Sequence, residues 1–330
     1  MVYKTAIIGA GIIAQNHLKA IFEMQPLKAA AIADIALERA EEAASQYGIR
    51  AYADYKEMIE REKPDIAVIT LPHYLHREAA VFCSEAGCHV MLEKPMALSV
   101  QECDEMIEAA ERNNIQLMVG HTQHYFTANR RAKQLIEQED LGTLVMINDA
   151  RHVNYYASSR PQWFLEKEKS GGGIMMNLGS HSIDRIQWIT GRRIAKIRSY
   201  LSFYGDRGDV EGSGLLLMET ADGVPATAAQ SGYDGYVKNE IEIIFTKGKL
   251  KIDNSKRLWV SRGRELEEAA APQTEAPFVL QYKELIGAIR GERPLESDGY
   301  YGRTVIQAIE ALYRSHETGD FVRVGDSPEI

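Results

Sequence analysis

The chain of 330 residues is 45% hydrophobic, enough to bury a core in each of two domains. Its net charge of −9 and pI near 5.6 leave no basic excess to displace phosphate counterions, so nucleic acid is not an expected partner. No window holds about 18 uninterrupted apolar residues, and Met1 to Gly11 lacks a basic stretch and a cleavage site, so no membrane association is expected and the chain reads as cytoplasmic.

Tyr3 to Ile8 is a short apolar strand that runs into Gly9-Ala10-Gly11-Ile12-Ile13-Ala14, followed by a helical pattern with Leu18, Ile21 and Phe22. That order suits a dinucleotide. Gly9 makes the tight turn, Gly11 admits a pyrophosphate, Ala14 permits close helix–strand packing, and the helix start at Ile12 and Ile13 offers free N–H groups. A second strand, Leu27 to Ala33, ends in Asp34, whose carboxylate accepts from a ribose 2′-hydroxyl and repels a 2′-phosphate. NAD is therefore expected over NADP, with Arg39 keeping NADP as the lesser alternative.

Strands and helices then alternate, which implies a parallel sheet with helices on both faces. Ala36 to Tyr47 is helical and stops at Gly48, and Asp54 with Glu57 forms a capping box. The strand Ile66 to Thr70 ends at Leu71-Pro72-His73, and in a doubly wound sheet Thr70, Pro72, His73 and His76 would lie beside the cofactor. As a metal pair, His73 and His76 are weak candidates, and no metal is expected. The apolar run His89 to Leu92 ends in Glu93-Lys94-Pro95, followed by a second capping box at Ser99 and Glu102. A cation at the end of a buried strand is a site signal. The last strand, Ile115 to Gly120, delivers His121, Gln123 and His124 to the same edge. Cys83, Cys88 and Cys103 read as buried structural thiols.

From about Ala128 the rhythm changes. A helix over Asn129 to Glu139 is followed by strand-like runs at Leu144 to Val153, Ile194 to Tyr204, Gly214 to Glu219, Pro225 to Gly232 and Glu240 to Phe245, a mostly antiparallel sheet. A long insertion, Tyr155 to Gly191, carries Trp163, the glycines Gly171-Gly172-Gly173, and Asn177, His181 and Asp184 at helical spacing. Ala269 to Pro277 is linker-like, and helices are expected over Phe278 to Arg290 and Tyr301 to Thr318.

Together, the glycine turn, Thr70-Leu71-Pro72-His73-Tyr74-Leu75-His76, Glu93-Lys94-Pro95 and the run from Gly171 through His181 and Asp184 resemble the Gfo/Idh/MocA oxidoreductases over essentially the whole length. The resemblance implies an α/β fold with a Rossmann domain over 1–122. It also implies an α+β domain over 123–330 whose large, open-faced sheet binds substrate and makes a homodimer or homotetramer, with a helix around 301–318 packing back on the first domain. The implied activity is hydride transfer between NAD and the alcohol or ketone of a sugar, glycoside or cyclitol. His181 takes the role of acid/base and Lys94, near the nicotinamide, that of a clamp on the reacting oxygen, with the Lys94–Pro95 bond cis. Glu93 lies at the cofactor, and Trp163, Asn177, His121, Gln123 and His124 face the substrate.

Two departures bear on the substrate. Asn177 stands where many relatives carry Asp, and it cannot stabilise a protonated histidine by charge. His124 stands where relatives often carry Arg, which argues against a strongly anionic substrate. Two further functions are compatible with these residues: glycoside cleavage or elimination through a transient redox cycle on tightly held NAD, and non-enzymatic dinucleotide sensing.

Overall fold

The computed structural model describes residues 1–138, 141–269 and 272–325. In chain order its elements are β1 (Tyr3–Ile8), α1 (Ile12–Phe22), β2 (Leu27–Ala33), α2 (Leu37–Tyr47), β3 (Arg50–Tyr52), α3 (Tyr55–Glu62), β4 (Ile66–Ile69), α4 (His76–Glu85), β5 (His89–Leu92), α5 (Val100–Arg112) and β6 (Leu117–Val119). Then follow α6 (Thr127–Glu137), β7 (Leu144–His152), α7 (Lys167–Ser170), a π-helical turn (Met175–Gly179), α8 (Ser180–Thr190), β8 (Ile194–Ser202), β9 (Ser213–Thr220) and β10 (Pro225–Ser231). The chain continues through β11 (Lys238–Phe245), β12 (Lys249–Asp253), β13 (Arg257–Ser261), β14 (Glu267–Glu268), α9 (Pro277–Ile289), α10 (Gly299–Thr318) and β15 (Val322–Arg323).

Two compact units result, one of residues 1–122 with 275–303 and the other of 123–274 with the residues from 304 onward. In the first, β1 to β6 pair wholly in parallel, in the order β3-β2-β1-β4-β5-β6. Strands covered on both faces have no solvated side, so β4 and β6 are buried at every residue. Helix ends follow local chemistry: Gly48 closes α2 in the left-handed conformation (φ 65°), and the Asp54 and Ser99 side chains accept backbone N–H groups at the starts of α3 and α5. The three cysteines are buried thiols, with no disulfide among the described residues.

The expectation of one unbroken second domain is corrected by residues 275–303. α9 packs on α1, with the His17 ring edge-on to Phe278 and Tyr282 at 4.9 and 5.7 Å between centroids. The helix expected around 301–318 begins in this unit, where the Tyr300 hydroxyl donates to Glu111 and Arg303 pairs with Asp104.

In the second unit, the described residues form a nine-stranded sheet, β14-β13-β12-β11-β7-β10-β9-β8-β15, antiparallel throughout except for β7 with β10. α8 covers one face. Arg185 on α8 forms a buried ion pair with Asp149 on β7, and Asp149 also accepts from the Ser182 hydroxyl at 2.6 Å. The opposite face is open, and along β9 it exposes Leu215 and Leu217 while Leu216 and Met218 are buried, the alternation of a half-covered strand. The helix read over Asn129 to Glu139 is α6; Glu139, and Ala270 and Ala271 of the expected linker, lie outside the described residues.

Candidate active site

Because β1 to β6 are parallel, their carboxyl ends share one edge of the sheet, and the predicted residues of the first unit collect there. Gly9 follows β1 with φ 98°, a conformation that side chains rarely adopt. A Cβ at Gly9 would lie 2.8 Å from the Thr70 carbonyl oxygen, so glycine lets the ends of β1 and β4 meet. The Thr70 hydroxyl donates to the carbonyls of Ile8 and Gly9 (3.1 and 2.9 Å) and locks the turn. Nothing crowds Gly11, and Ile12 is 84% exposed. α1 has no capping side chain and no acid in its first turn, so its N–H groups and dipole are left for an anion. These features fit a dinucleotide pyrophosphate.

The Asp34 carboxylate accepts from the Ala10 and Ala36 amides at 2.8 and 2.9 Å. Each oxygen keeps a second lone pair for a ribose hydroxyl, and the two amide bonds fix where that hydroxyl would be met. His76 is placed differently from the expectation. It is fully buried, its ring nitrogens face the carbonyls of Pro95 and Leu71 at 3.0 and 2.9 Å, and burial holds its pKa below the ordinary histidine value. It ties the β4 end to the Lys94–Pro95 segment, whereas Pro72 and buried His73 begin the turn before α4.

Lys94 is half-buried, and its bond to Pro95 is cis. Glu93 before it accepts from the Lys94 amide at 3.2 Å and faces His17 Nε2 at 3.1 Å, while His17 Nδ1 meets the Tyr282 hydroxyl at 2.8 Å. Burial works to raise the Glu93 pKa, but the His17 hydrogen bond and electrostatic attraction to His17 and Lys94 bring it below the ordinary range. A carboxylate so held keeps its negative charge, on which the charge of Lys94 acts. Sequence reading missed His17 and Tyr282, since their meeting depends on α9 returning to α1. His121, also at this edge, is buried with its ring edge-on to Tyr301 at 5.6 Å.

In the second unit, the glycine run is a packing surface and not a phosphate cradle. A Cβ on Gly173 would lie 2.1 Å from the Glu211 carbonyl oxygen, and one on Gly172 would strike the Tyr313 hydroxyl. The Glu211 carboxylate takes the amides of Gly173 and Met175 at 2.9 Å and the Tyr313 hydroxyl at 2.9 Å. Burial raises the Glu211 pKa, and those donors offset the rise in part. This carboxylate therefore occupies the amides that an outside anion would need.

Asn177 lies in the π-helical turn and His181 in the first turn of α8, so the wider turn breaks the helical spacing read between them. Asn177 is buried within reach of the Tyr155 hydroxyl, and His181 is half-exposed. Asp184 leaves this group, since it is fully buried and accepts from His124 Nε2 at 2.7 Å. His124 also stacks on Trp188 at 4.4 Å, and Gln123 is held by Ser255 and Asn129. His124 and Gln123, expected to face the substrate, are both buried in these contacts. Trp163 stacks on Phe164 at 3.7 Å, and Arg160 lies over the Tyr155 ring at 3.9 Å.

Comparison with known proteins agrees with this architecture. Residues 3–121 match the model of the oxidoreductase family with an NAD-binding Rossmann fold, and residues 129–251 match the GFO/IDH/MocA C-terminal domain. A 2,7-anhydro-N-acetylneuraminate hydratase of Mediterraneibacter gnavus is 27% identical across 75% of this chain and 66% of its own length. Matches to two further relatives take in 41% and 46% of their lengths. The D-glucoside 3-dehydrogenase of Escherichia coli is 26% identical, with 97% of both chains covered. The crystal structure of an aldose-aldose oxidoreductase from Caulobacter crescentus superposes with a TM-score of 0.90 at 25% identity, covering 98% of this chain and 100% of that one. The first unit is accordingly an NAD-binding Rossmann domain.

Proposed function

Because the chain belongs to the Gfo/Idh/MocA oxidoreductase family, we propose that it transfers hydride between NAD and a secondary alcohol or ketone of a sugar, glycoside or cyclitol. The observation that carries this reading is Lys94, which follows buried Glu93 on the same sheet edge as the glycine turn. Gly9, Gly11, Ile12, Ile13, Asp34, Thr70 and Pro72 hold the cofactor, which when bound accepts the hydride. His181 receives the proton that must leave the hydroxyl, the task of a base that titrates near neutrality. The Lys94 ammonium donates to the same oxygen and stabilises its developing charge. Asn177 positions the sugar by hydrogen bonds, and Trp163 contributes an apolar wall. The names of relatives, D-glucoside 3-dehydrogenase and inositol 2-dehydrogenase, support this substrate class.

The test is absorbance of reduced nicotinamide with a panel of sugars, sugar acids, glycosides and cyclitols, run with NAD and NADP on the wild type and Asp34→Ala. NADH should accumulate, and Asp34→Ala should narrow the NAD preference about tenfold, the loss of a hydrogen bond to an ionised group. An unchanged cofactor ratio removes Asp34 from the reading. The hydratase among the relatives favours a second possibility, a transient oxidation in which hydride returns to the product. In that case the panel yields products without NADH.

We further propose that the open sheet face pairs with a second copy of this chain. Tyr200, Leu215 and Leu217 are 60%, 52% and 45% exposed there, an apolar patch that water disfavours. Leu217→Glu should convert a light-scattering dimer or tetramer to monomer, and a monomeric wild type would end this proposal.

A further inference from the structure

We propose that Arg151, on the α8 side of the large sheet, receives an anionic substituent of the sugar-like substrate, a carboxylate or a phosphate; this rests on the dehydrogenase reading. Along β7, Ile147 and Asp149 are buried on the α8 side, and alternation puts Arg151 on that face. In register, Arg151 stands between Gln230 of β10 and Asn239 of β11. Both neighbours reach α8 or the turn before it. The Gln230 amide donates to the Leu178 carbonyl and the Ser182 hydroxyl at 2.9 and 2.7 Å, and Asn239 accepts from Arg185 at 3.0 Å. Ser182 and Arg185 lie one turn apart on α8 and Leu178 in the turn before it, so Arg151 lies under the segment that carries His181.

Among the described residues Arg151 makes no ion pair of its own, and the Asp149 charge acts on it only in part. The carboxylate beside it, Asp149, is taken by Arg185 and Ser182. Arg151 Nε is enclosed without a hydrogen-bond partner, and so is the neighbouring Gln230 Oε1. Burial and nearby Arg185 bring the guanidinium down to about 10, which leaves it a cation at neutral pH. An enclosed guanidinium nitrogen and an enclosed amide oxygen on paired strands, each without a hydrogen-bond partner, are costly alone. An anion on the guanidinium and a hydroxyl donating to Gln230 satisfy both, and a hydroxy acid or sugar phosphate carries both groups. The argument from His124 against an anionic substrate does not hold here, because the positive charge stands on β7 and not in the His124 loop.

The experiment measures binding of glucose, glucuronate and glucose 6-phosphate to the NADH-loaded protein by tryptophan fluorescence, for the wild type, Arg151→Gln and Arg151→Lys. The wild type should prefer one or both anions over glucose, and which one it prefers identifies the group. Arg151→Gln should cut that preference roughly 10- to 100-fold, the range for a lost hydrogen bond to a charged group. Arg151→Lys, which keeps charge without the fork, should retain part of it and serves if the glutamine variant does not fold. A wild type that binds glucose as well as both anions, or an anion preference unchanged in Arg151→Gln, overturns the proposal. Because binding is read without turnover, absence of NADH formation would count against the dehydrogenase reading alone.

Discussion

Lys94→Ala is expected to lower kcat/KM roughly 100- to 1,000-fold on any sugar the protein oxidises, the usual cost of removing one preorganised donor to a developing oxyanion. The loss should fall mainly on kcat, since the ammonium interacts more strongly with an alkoxide than with the neutral hydroxyl of the bound substrate. Its strength here comes from the surroundings. Glu93 is buried next to Lys94 with its pKa held down, and it is engaged by His17 and the Lys94 amide. An anion fixed in a poorly solvated site steadies the cation beside it without being free to neutralise it by moving. Steady-state kinetics beside an NADH fluorescence titration check the result, and turnover that survives Lys94→Ala would remove Lys94 from the mechanism.

Gly173→Ala is expected to destabilise the second unit by about 3 kcal/mol or more, since a Cβ would lie 2.1 Å from the Glu211 carbonyl oxygen and both partners of the clash are backbone. Separation of the two strands of chain would lengthen the Ile174 amide bond to that carbonyl and the two amide bonds to the Glu211 carboxylate. Each is worth on the order of 1 kcal/mol, and more where the acceptor is charged. With about 2–4 °C lost per kcal/mol in a domain of this size, the melting temperature should fall by roughly 10 °C. Gly263→Ala, where nothing lies within 4 Å of the added carbon, is the control and should melt near the wild type. A Gly173→Ala protein as stable as that control would show that Glu211 does not fix the run.

What could be read from the chain alone follows the reach of each interaction. The glycine turn and the capping pairs at Asp54 and Ser99 act within a few residues, so their spacing announces them. The parallel strands are continuous apolar runs and declare themselves by composition. Pairings made between distant segments carry no such mark. His124 with Asp184, and His17 with Tyr282, join residues 60 and 265 positions apart, so His124 read as a substrate residue and His17 went unread. β3 and β15 are too short for a period to register, while β12 and β13 mix charge with apolar residues. The π-helical turn adds a further obstacle, because it shifts the phase between Asn177 and His181 without any residue that signals it.

The place of β7 in the large sheet has a bearing on how this unit is built. β8, β9 and β10 form one antiparallel meander, and β11 to β14 form another. β7, made before either, is the seam that joins them, parallel to β10 and antiparallel to β11. A growing chain therefore carries β7 with both edges unpaired until synthesis has passed Ser231, and its closure to β10 spans a long loop, which is slow by its entropy. The two meanders can form locally and early. Loop-closure entropy favours the seam seating last, so that Asp149 and Arg151, which face α8 from it, come into position when the sheet closes.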